Sequence, residues 1–452
     1  MKIAMDQAFS VSNLLKILDA DNKKAGDLEE KYISSAHEIR VRLRKFLDML
    51  AFSKRLFRSK GISVDAYERR RKRLNFLLEN WKIKRETVII RKLEEVSAAI
   101  SRKDFRITLF ERPITISGKK IYGIGSDLSQ ILAVRFVQLI LKSIYDVKIP
   151  SRDILVGQIK SLALDGVPKL IIRADVESFY ESVRHEDLLE CIHRSSDLSV
   201  EAKRIITRIL KDYQRVSASD KGLPRGVGVS AFLAEIYLSD VDEHIKKSPD
   251  LFYYARYVDD MVLMYAPSRP ELADTYRARV DEIMNAKGLS LNHKTKVLNA
   301  LTHQKGNFEY LGYEFDLAPG GSGVSLSKKK LDKYKERIEK SFTDYHKKKA
   351  FIPRKAADEL VVRSLFLTGN MRLFNRKSNA FIGIYFSNKH ITNTKQLKGL
   401  DLFYQHQIKK ITDASLRDRL LTNSFEEGFT KKIFRALKPK QLSIISKGWK
   451  HG

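Results

Sequence analysis

The stretch from Leu251 to Ala266 constrains the chain most, because two aspartates interrupt an otherwise apolar, aromatic-rich sequence. It reads Leu-Phe-Tyr-Tyr-Ala-Arg-Tyr-Val-Asp-Asp-Met-Val-Leu-Met-Tyr-Ala. The apolar flanks predict buried strands, which places Asp259 and Asp260 at the tip of a hairpin. Ionised carboxylates beside a dry interior are costly unless a cation meets them, and Mg²⁺ is the expected partner. The alternative is a surface turn that holds two Asp, since acidic turns are common.

Composition narrows the expected partners to polyanions. The chain has 452 residues, 43% of them hydrophobic, and a formal net charge of +30. This length predicts two or three domains, and the charge predicts binding to nucleic acid first and to an anionic membrane surface second. The single cysteine, Cys191, rules out a disulfide within the chain and disfavours a Cys/His zinc site. Without an apolar run of about 18 residues or an apolar signal core, the sequence predicts a cytoplasmic protein with no membrane span.

The chain divides into three predicted regions: a basic helical N-terminal region, a central region of short strands and helices, and a basic helical C-terminal region. A glycine-rich stretch at 319–323 is the clearest linker. The C-terminal region begins with a predicted helix over 327–345 and is expected to stay helical to its end. In the central region, a strand at 105–110 is expected to be broken by Pro113. The boundaries of the three regions are 1–104, 105–318 and 324–452.

A third acid, at the end of an earlier strand, completes a set of three carboxylates. The sequence Leu-Ile-Ile-Arg-Ala over 170–174 is a predicted strand that ends at Asp175. From 170 to 300 the predicted elements follow a ferredoxin-like α+β pattern with one antiparallel sheet. The end of its first strand lies beside the tip of its central hairpin, so Asp175 is expected near Asp259 and Asp260. Three carboxylates around two divalent ions can polarise a 3′-hydroxyl and stabilise a leaving pyrophosphate, which is the chemistry of nucleotidyl transfer.

Five segments resemble the motifs of reverse transcriptases, in the order found in that family. The resemblance is close over 170–315 and looser upstream. It implies the fingers and palm of a right-hand polymerase over the central region, followed by a helical thumb and a helical C-terminal domain. The segments are the first catalytic motif at Asp175–Tyr180, the glycine loop and helix at Leu223–Leu238, the Tyr-x-Asp-Asp signature at Tyr257–Asp260, the next motif at Gly288–Thr295 and the primer-grip hairpin at Phe308–Tyr313.

The resemblance implies a role for each residue of the site. Asp175, Asp259 and Asp260 would be the catalytic acids and would hold two Mg²⁺ ions, with Mn²⁺ as the substitute. Tyr180 would lie under the sugar and exclude a 2′-hydroxyl, with a core aromatic as the alternative. Lys294 would protonate the leaving pyrophosphate, with a solvated lysine as the alternative.

Further contacts are implied for the nucleotide and the nucleic acid. Arg225 and Gly226 would line the nucleotide and template pocket. Many relatives carry Gln at the position of Arg225, and an Arg there can grip a phosphate with two hydrogen bonds. Lys119 and Lys120 are weaker candidates for contact with the triphosphate. The thumb helix would lie along the template–primer backbone through its basic residues Lys329, Lys330, Lys333 and Arg337.

Two segments are most similar to the bacterial abortive-infection and defence-associated reverse transcriptases. They are Arg-Gly-Val-Gly-Val-Ser-Ala at 225–231 and Ser-Phe-Tyr-Glu-Ser at 178–182. This resemblance implies an RNA-directed DNA polymerase in antiphage defence, with a non-coding RNA as template, dNTPs as substrates and DNA as product. A homo-oligomer is left open. Two alternatives remain, a template-independent or protein-primed DNA polymerase and an RNA-binding maturase-like protein.

Overall fold

The structure is a computed structural model that describes residues 8–23, 26–116, 118–145, 151–267, 269–301, 306–317, 323–375 and 378–449. The predicted linker at 319–323 lies outside the described residues except for Gly323. The helices are α1 Val11–Lys23, α2 Leu28–Tyr32, α3 Ser34–Arg58, α4 Val64–Ser101, α5 Leu128–Ile144, α6 Arg152–Ala163, α7 Phe179–Ser182, α8 His185–Arg194, α9 Val200–Ser217, α10 Ser230–Lys246, α11 Ala273–Ala286, α12 Lys328–Lys348, α13 Pro353–Thr368, α14 Lys395–Lys409, α15 Ala414–Leu421, α16 Phe425–Thr430 and α17 Pro439–Gly448. The strands are β1 Leu109–Ile116, β2 Lys119–Ile124, β3 Leu170–Asp175, β4 Leu251–Tyr257, β5 Asp260–Tyr265, β6 Lys296–Asn299, β7 Asn307–Tyr310, β8 Tyr313–Asp316, β9 Gly323–Leu326, β10 Asn370–Asn375 and β11 Ser378–Gly383.

The chain forms two compact units, and each unit contains segments that are distant in sequence. The division predicted from sequence into three consecutive regions stays a prediction. The first unit comprises 1–148, 177–245 and 283–290, and the second comprises 149–176, 246–282 and 291–452.

The first unit is mainly helical, as the sequence predicts for its N-terminal part. Its longest helix, α4, has 38 residues and starts at an N-cap, Ser63, whose side chain accepts a hydrogen bond from the Ala66 amide. The helix α3 packs against it to form a helical hairpin. The buried residues of α4 recur at intervals typical of one helical face, at Leu74, Leu78, Ile89, Leu93, Val96 and Ile100.

A β-hairpin in the first unit corrects one prediction. The sequence predicts a strand at 105–110 that is broken by Pro113, but β1 starts at Leu109 and continues through Pro113 to Ile116. Its antiparallel pairing with β2 shifts register between Glu111 and Thr115. Pro113 therefore lies at an irregularity in the ladder, where its missing N–H costs no regular hydrogen bond.

The second unit contains the antiparallel sheet that the sequence predicts. Its four strands run in the order β4–β5–β3–β6, and every neighbouring pair is antiparallel. In chain order this is 2-3-1-4, the ferredoxin-like arrangement, so the predicted α+β class is confirmed. The strand β5 is buried from Met261 to Tyr265 because it has a neighbour on each side and an apolar sequence.

A second sheet leads into the basic helix of the same unit. It has three antiparallel strands in the order β7–β8–β9. Directly after β9, Ser327 caps α12 by accepting a hydrogen bond from the Lys330 amide at 3.4 Å. The expectation that the chain beyond 324 is helical throughout is wrong at 370–383, where β10 and β11 form an antiparallel hairpin. Asn370, which is fully buried, ties this hairpin to the chain near α16 by donating from its side chain to Gly428 at 2.9 Å.

Within the described part of the chain, no helix is long and apolar enough to cross a membrane.

Candidate active site

The tip of the β4–β5 hairpin holds the two adjacent acids. Tyr257 and Asp260 are paired across the hairpin, so Val258 and Asp259 form a two-residue turn. Val258 has a φ of 61°, a strained conformation for a β-branched residue. The side chain of Arg256 stabilises the turn by donating to the carbonyl oxygen of Val258 at 2.9 Å. The turn that carries Asp259 is therefore strained and is held by a side-chain hydrogen bond.

The third acid meets this tip from the neighbouring strand. Asp175 is the last residue of β3, and it is the register partner of Asp260, the first residue of β5. The amide of Val176, the next residue, donates to the carbonyl oxygen of Asp259 at 3.3 Å. Antiparallel pairing thus brings together three partly buried carboxylates from 175, 259 and 260, as the sequence predicts.

The charge of Asp260 is met by a residue that the sequence reasoning did not single out. Nη2 of Arg173, on β3, donates to Oδ1 of Asp260 at 2.6 Å. The two side chains are 13% and 22% exposed, so water screens this ion pair poorly. Burial, together with the carboxylates of Asp175 and Asp259, raises the pKa of Asp260 to about 6, although the charge of Arg173 opposes the rise.

Asp175 has its own supporting residue, Asn292. The main-chain carbonyl of Asp175 accepts from the Asn292 amide at 2.8 Å, and Nδ2 of Asn292 donates to the Asp175 carboxylate. Both Arg173 and Asn292 left a signal in the sequence. Arg173 is the one charged residue inside an apolar strand and lies two positions before Asp175, on the same face. Asn292 lies inside the motif at Gly288–Thr295, but the sequence alone did not identify Asp175 as its partner.

The donor chemistry of this cluster suits a divalent cation. Carboxylate oxygens are the ligands of Mg²⁺, and three neighbouring acids favour a positive ion among them. Arg173 supplies part of that positive charge here, so a cation bound to Oδ1 of Asp260 would compete with the guanidinium. Among the described residues, no group of three His, Cys, Asp or Glu side chains is already spaced to hold a metal ion.

A basic cavity of about 860 Å³ extends from Asp260 to the helix α12, within the second unit. Its lining includes Arg173, Lys294 and the turn between β7 and β8 at Leu311 and Gly312. It also includes all four cations predicted to bind nucleic acid, Lys329, Lys330, Lys333 and Arg337. The structure therefore brings Lys294 and these helical cations to the same cavity as the catalytic candidate Asp260.

Lys330 has an environment unlike that of its exposed neighbours Lys329 and Lys333. Its Nζ donates to the carbonyl oxygen of Ser387 at 2.6 Å and lies 4.3 Å from the centre of the Tyr313 ring. Burial lowers its pKa to about 7, and the positive charge of Arg152 contributes. Two cations near each other in a cavity make a favourable site for an anionic group.

The remaining predicted residues, Tyr180, Arg225 and Gly226, lie together in the first unit. The Cζ atom of Arg225 lies 4.6 Å from the centre of the Tyr180 ring. Lys119 donates to the hydroxyl of Ser178 at 3.0 Å. Lys120 instead forms an ion pair with Glu111 at 2.9 Å.

Fold and site together define the class. The two central strands of the antiparallel sheet carry paired carboxylates, Asp175 at the end of β3 and Asp260 at the start of β5, and Asp260 borders a cavity lined by cations. This arrangement is compatible with nucleotidyl transfer. Residues 112–315 match the family described as Reverse transcriptase (RNA-dependent DNA polymerase). Over these residues the chain is therefore similar to reverse transcriptase domains.

Solved structures of telomerases are similar to the chain at low identity. Apo telomerase from Candida tropicalis is 11% identical, with 77% of this chain and 62% of that chain covered and a TM-score of 0.41. Telomerase from Candida albicans in complex with the TWJ fragment of telomeric RNA is 14% identical, with 70% and 54% covered and a TM-score of 0.32. The C-terminally truncated Candida tropicalis enzyme is 13% identical, with 49% and 55% covered and a TM-score of 0.35. The chain thus spans less than two thirds of the length of each of these proteins. No curated protein sequence matches it significantly.

Proposed function

We propose that the protein is an RNA-directed DNA polymerase that extends a DNA strand on an RNA template by two-metal nucleotidyl transfer. The observation that supports this most is the pairing of Asp175 with Asp260 next to Asp259, within the residues that are similar to reverse transcriptase domains. The cavity that leads from Asp260 to the cations of α12 supports a nucleic acid as the partner.

The proposed reaction joins a 3′-hydroxyl to the α-phosphorus of a dNTP and releases pyrophosphate. Asp175, Asp259 and Asp260 would hold two Mg²⁺ ions, or Mn²⁺ in their place, which when bound polarise the hydroxyl and neutralise the leaving group. Asn292 orients the Asp175 carboxylate for this purpose, and Lys294 supplies a proton to the pyrophosphate as the phosphorus–oxygen bond breaks.

The other assignments concern substrate and strand. Tyr180 would exclude the 2′-hydroxyl of a ribonucleotide, and Arg225 with Gly226 would face the nucleotide and template. The cations Lys329, Lys330, Lys333 and Arg337 would contact backbone phosphates of the template–primer duplex.

We also propose the finer role of antiphage defence with a dedicated non-coding RNA as template. Its support is the form of two segments, 178–182 and 225–231, which resemble the bacterial defence-associated reverse transcriptases. The cytoplasmic location and the oligomeric state stay predictions.

The experiment starts from the protein purified with the nucleic acid that it carries. The protein is incubated with dNTPs and Mg²⁺, and both the bound RNA and the DNA product are sequenced. DNA complementary to the bound RNA is the expected result. A DNA product with no match to any bound RNA would favour template-independent or protein-primed synthesis instead.

Three substitutions test whether the acids act as proposed. Asp175→Asn and Asp259→Asn are expected to lower synthesis by several orders of magnitude, because each removes an anionic oxygen from the metal-binding cluster. Asp281→Asn is the matched control, since Asp281 pairs with Arg277 at 2.6 Å on α11, outside the cluster. Undiminished synthesis in the first two variants would refute the assignment. Phage protection that persists without synthesis would favour the RNA-binding alternative.

A further inference from the structure

The ring of Tyr180 is held by two neighbours in the first unit. The ring of Phe179 packs against it edge to face, with centroids 5.7 Å apart and an angle of 78°. The guanidinium of Arg225 lies over the ring, 4.6 Å from its centre, in a cation–π contact. Phe179 is 1% exposed and cannot move without disturbing the core. The contact with Arg225 is therefore one that can set the ring orientation.

Arg225 is held in turn by Glu181. Its Nε and Nη2 donate to the two carboxylate oxygens at 2.8 and 3.1 Å, which fixes the plane of the guanidinium. Burial pushes the pKa of Glu181 up, but the hydrogen bonds and charge of Arg225 outweigh it and leave the pKa below its usual value. Lys119 adds a second positive charge 3.7 Å from the same carboxylate. Because Glu181 stays ionised, the pair persists at neutral pH.

The main chain keeps the same residues in register. The carbonyl of Tyr180 accepts from the Leu223 amide, and the carbonyl of Arg225 accepts from the Tyr122 amide, both at 2.7 Å. Gly226 makes the second contact possible. Its φ is +91°, and a Cβ there would lie 2.5 Å from the Ile121 side chain and 2.8 Å from the carbonyl oxygen of Tyr122.

We propose that Arg225 and Glu181 are positioning residues that lock the Tyr180 ring and thereby set the selection of deoxynucleotides over ribonucleotides. The inference rests on the proposed polymerase function and on Tyr180 as the residue that meets the sugar. It gives Arg225 a use other than the phosphate grip suggested by its sequence position, because Glu181 already takes the Nε–Nη2 edge of its guanidinium.

The test measures sugar discrimination on a defined substrate. Poly(rA) with an oligo(dT) primer is extended with dTTP or UTP, and the ratio of the two kcat/KM values is compared among variants. The variants are Tyr180→Ala, Arg225→Gln and Glu181→Gln. Arg215→Gln is the matched control, because Arg215 makes the same two-bonded pair with Asp212, at 2.9 and 3.3 Å, elsewhere in the first unit.

Arg225→Gln and Glu181→Gln are each expected to lower the dTTP/UTP ratio about three- to tenfold, the scale of one cation–π contact. Tyr180→Ala is expected to lower it about tenfold or more. The lower ratio should come mainly from a higher kcat/KM for UTP. When Arg225→Gln is added to Tyr180→Ala, the dTTP/UTP ratio should not fall further, because the ring that Arg225 positions is already absent. Arg215→Gln should leave the ratio unchanged.

A spectroscopic measurement separates this inference from the polymerase proposal. With 3-fluorotyrosine incorporated, the ¹⁹F resonance of Tyr180 is assigned by its loss in Tyr180→Phe. That resonance is expected to move or broaden in Arg225→Gln and to stay in place in Arg215→Gln. An unmoved resonance refutes the lock, even in a preparation without polymerase activity. A moved resonance with an unchanged dTTP/UTP ratio refutes the link to selectivity but leaves the polymerase function standing.

Discussion

Asp260 holds its negative charge in a mostly buried position between two other acids. Its carboxylate is 22% exposed, and Arg173 is the cation that meets it at 2.6 Å. Such pairs are costly to break, because removing one partner leaves the other charge buried without compensation. Arg173 thus stabilises the arrangement of the acids as well as their charge.

Replacing Arg173 by Met is expected to lower the free energy of unfolding by about 1–3 kcal/mol, since Asp260 then lacks its counter-ion. The measurement is urea denaturation in buffer with EDTA. In the double variant Arg173→Met/Asp260→Asn, the carboxylate that lost its counter-ion is itself removed. The two substitutions together should therefore cost about 1–2 kcal/mol less than the sum of the single costs. Additive costs would show that the two side chains do not stabilise each other.

The acids of the site were predictable from sequence, whereas the residues that support them were not. Asp175, Asp259 and Asp260 follow apolar strands, and strand pairing alone brings them together. The bond from Arg173 to Asp260 depends on which side chains face each other across β3 and β5, and one sequence does not give that register. The ion pair between Arg225 and Glu181 joins residues 44 positions apart, and no local sequence pattern at either position predicts the other as its partner.

At the scale of elements, the half-buried amine of Lys330 connects the start of α12 to the β7–β8 turn. Its Nζ lies 4.3 Å from the Tyr313 ring, and a Cβ added at Gly312, in the turn, would lie 3.4 Å from the Lys330 stem. The folded-state pKa of about 7 is below the ordinary value of 10.5 for a lysine. The folded protein therefore binds fewer protons than the unfolded chain between these two values, and its stability must rise with pH across that window.

In the Lys330→Met variant, this rise is expected to be missing. The thermal midpoint of each protein is measured from pH 6.5 to 9, and the difference between wild type and variant is plotted against pH. Lys330→Met should be the more stable protein near pH 6.5, with an advantage that shrinks as pH rises through 7. The exposed residue Lys333 provides the control, and Lys333→Met should show a difference that does not change with pH. A flat difference for Lys330→Met would contradict the buried position of the amine.

Some strands were not predicted correctly from the sequence, because pairing with distant parts of the chain overrides local sequence signals. Pro113 was expected to break β1, but a register shift between Glu111 and Thr115 lets the strand continue past it. The β10–β11 hairpin lies in a basic stretch that was expected to be helical. Residues distant in sequence stabilise it, because the Asn370 side chain donates to the carbonyl oxygens of Gly428 and Ile433. No pattern within 370–383 reveals those partners.

At the scale of the whole molecule, the net charge of +30 gives a strong overall electrostatic attraction to nucleic acid. A basic cavity can still be distinguished from that background. Each cation that neutralises a phosphate releases a condensed counter-ion, so it adds a fixed amount to the salt dependence of binding. A cation that contributes only to the overall field does not.

The affinity for a 20-base-pair RNA–DNA hybrid is therefore expected to fall linearly on a plot of log K against log salt, measured by fluorescence anisotropy between 50 and 300 mM NaCl. Removing Lys329, Lys333 and Arg337 together by Ala should make the slope shallower by about 2–3, close to one per phosphate contact. The control removes three other cations of the second unit, Lys398, Arg419 and Lys431, which pair with acids on the C-terminal helices. Both triple variants lose the same formal charge, so equal slopes in the two variants would contradict a duplex seated along α12. A slope that changes only in the first variant is expected, because Lys329, Lys333 and Arg337 line the cavity that reaches Asp260 and the three control residues do not.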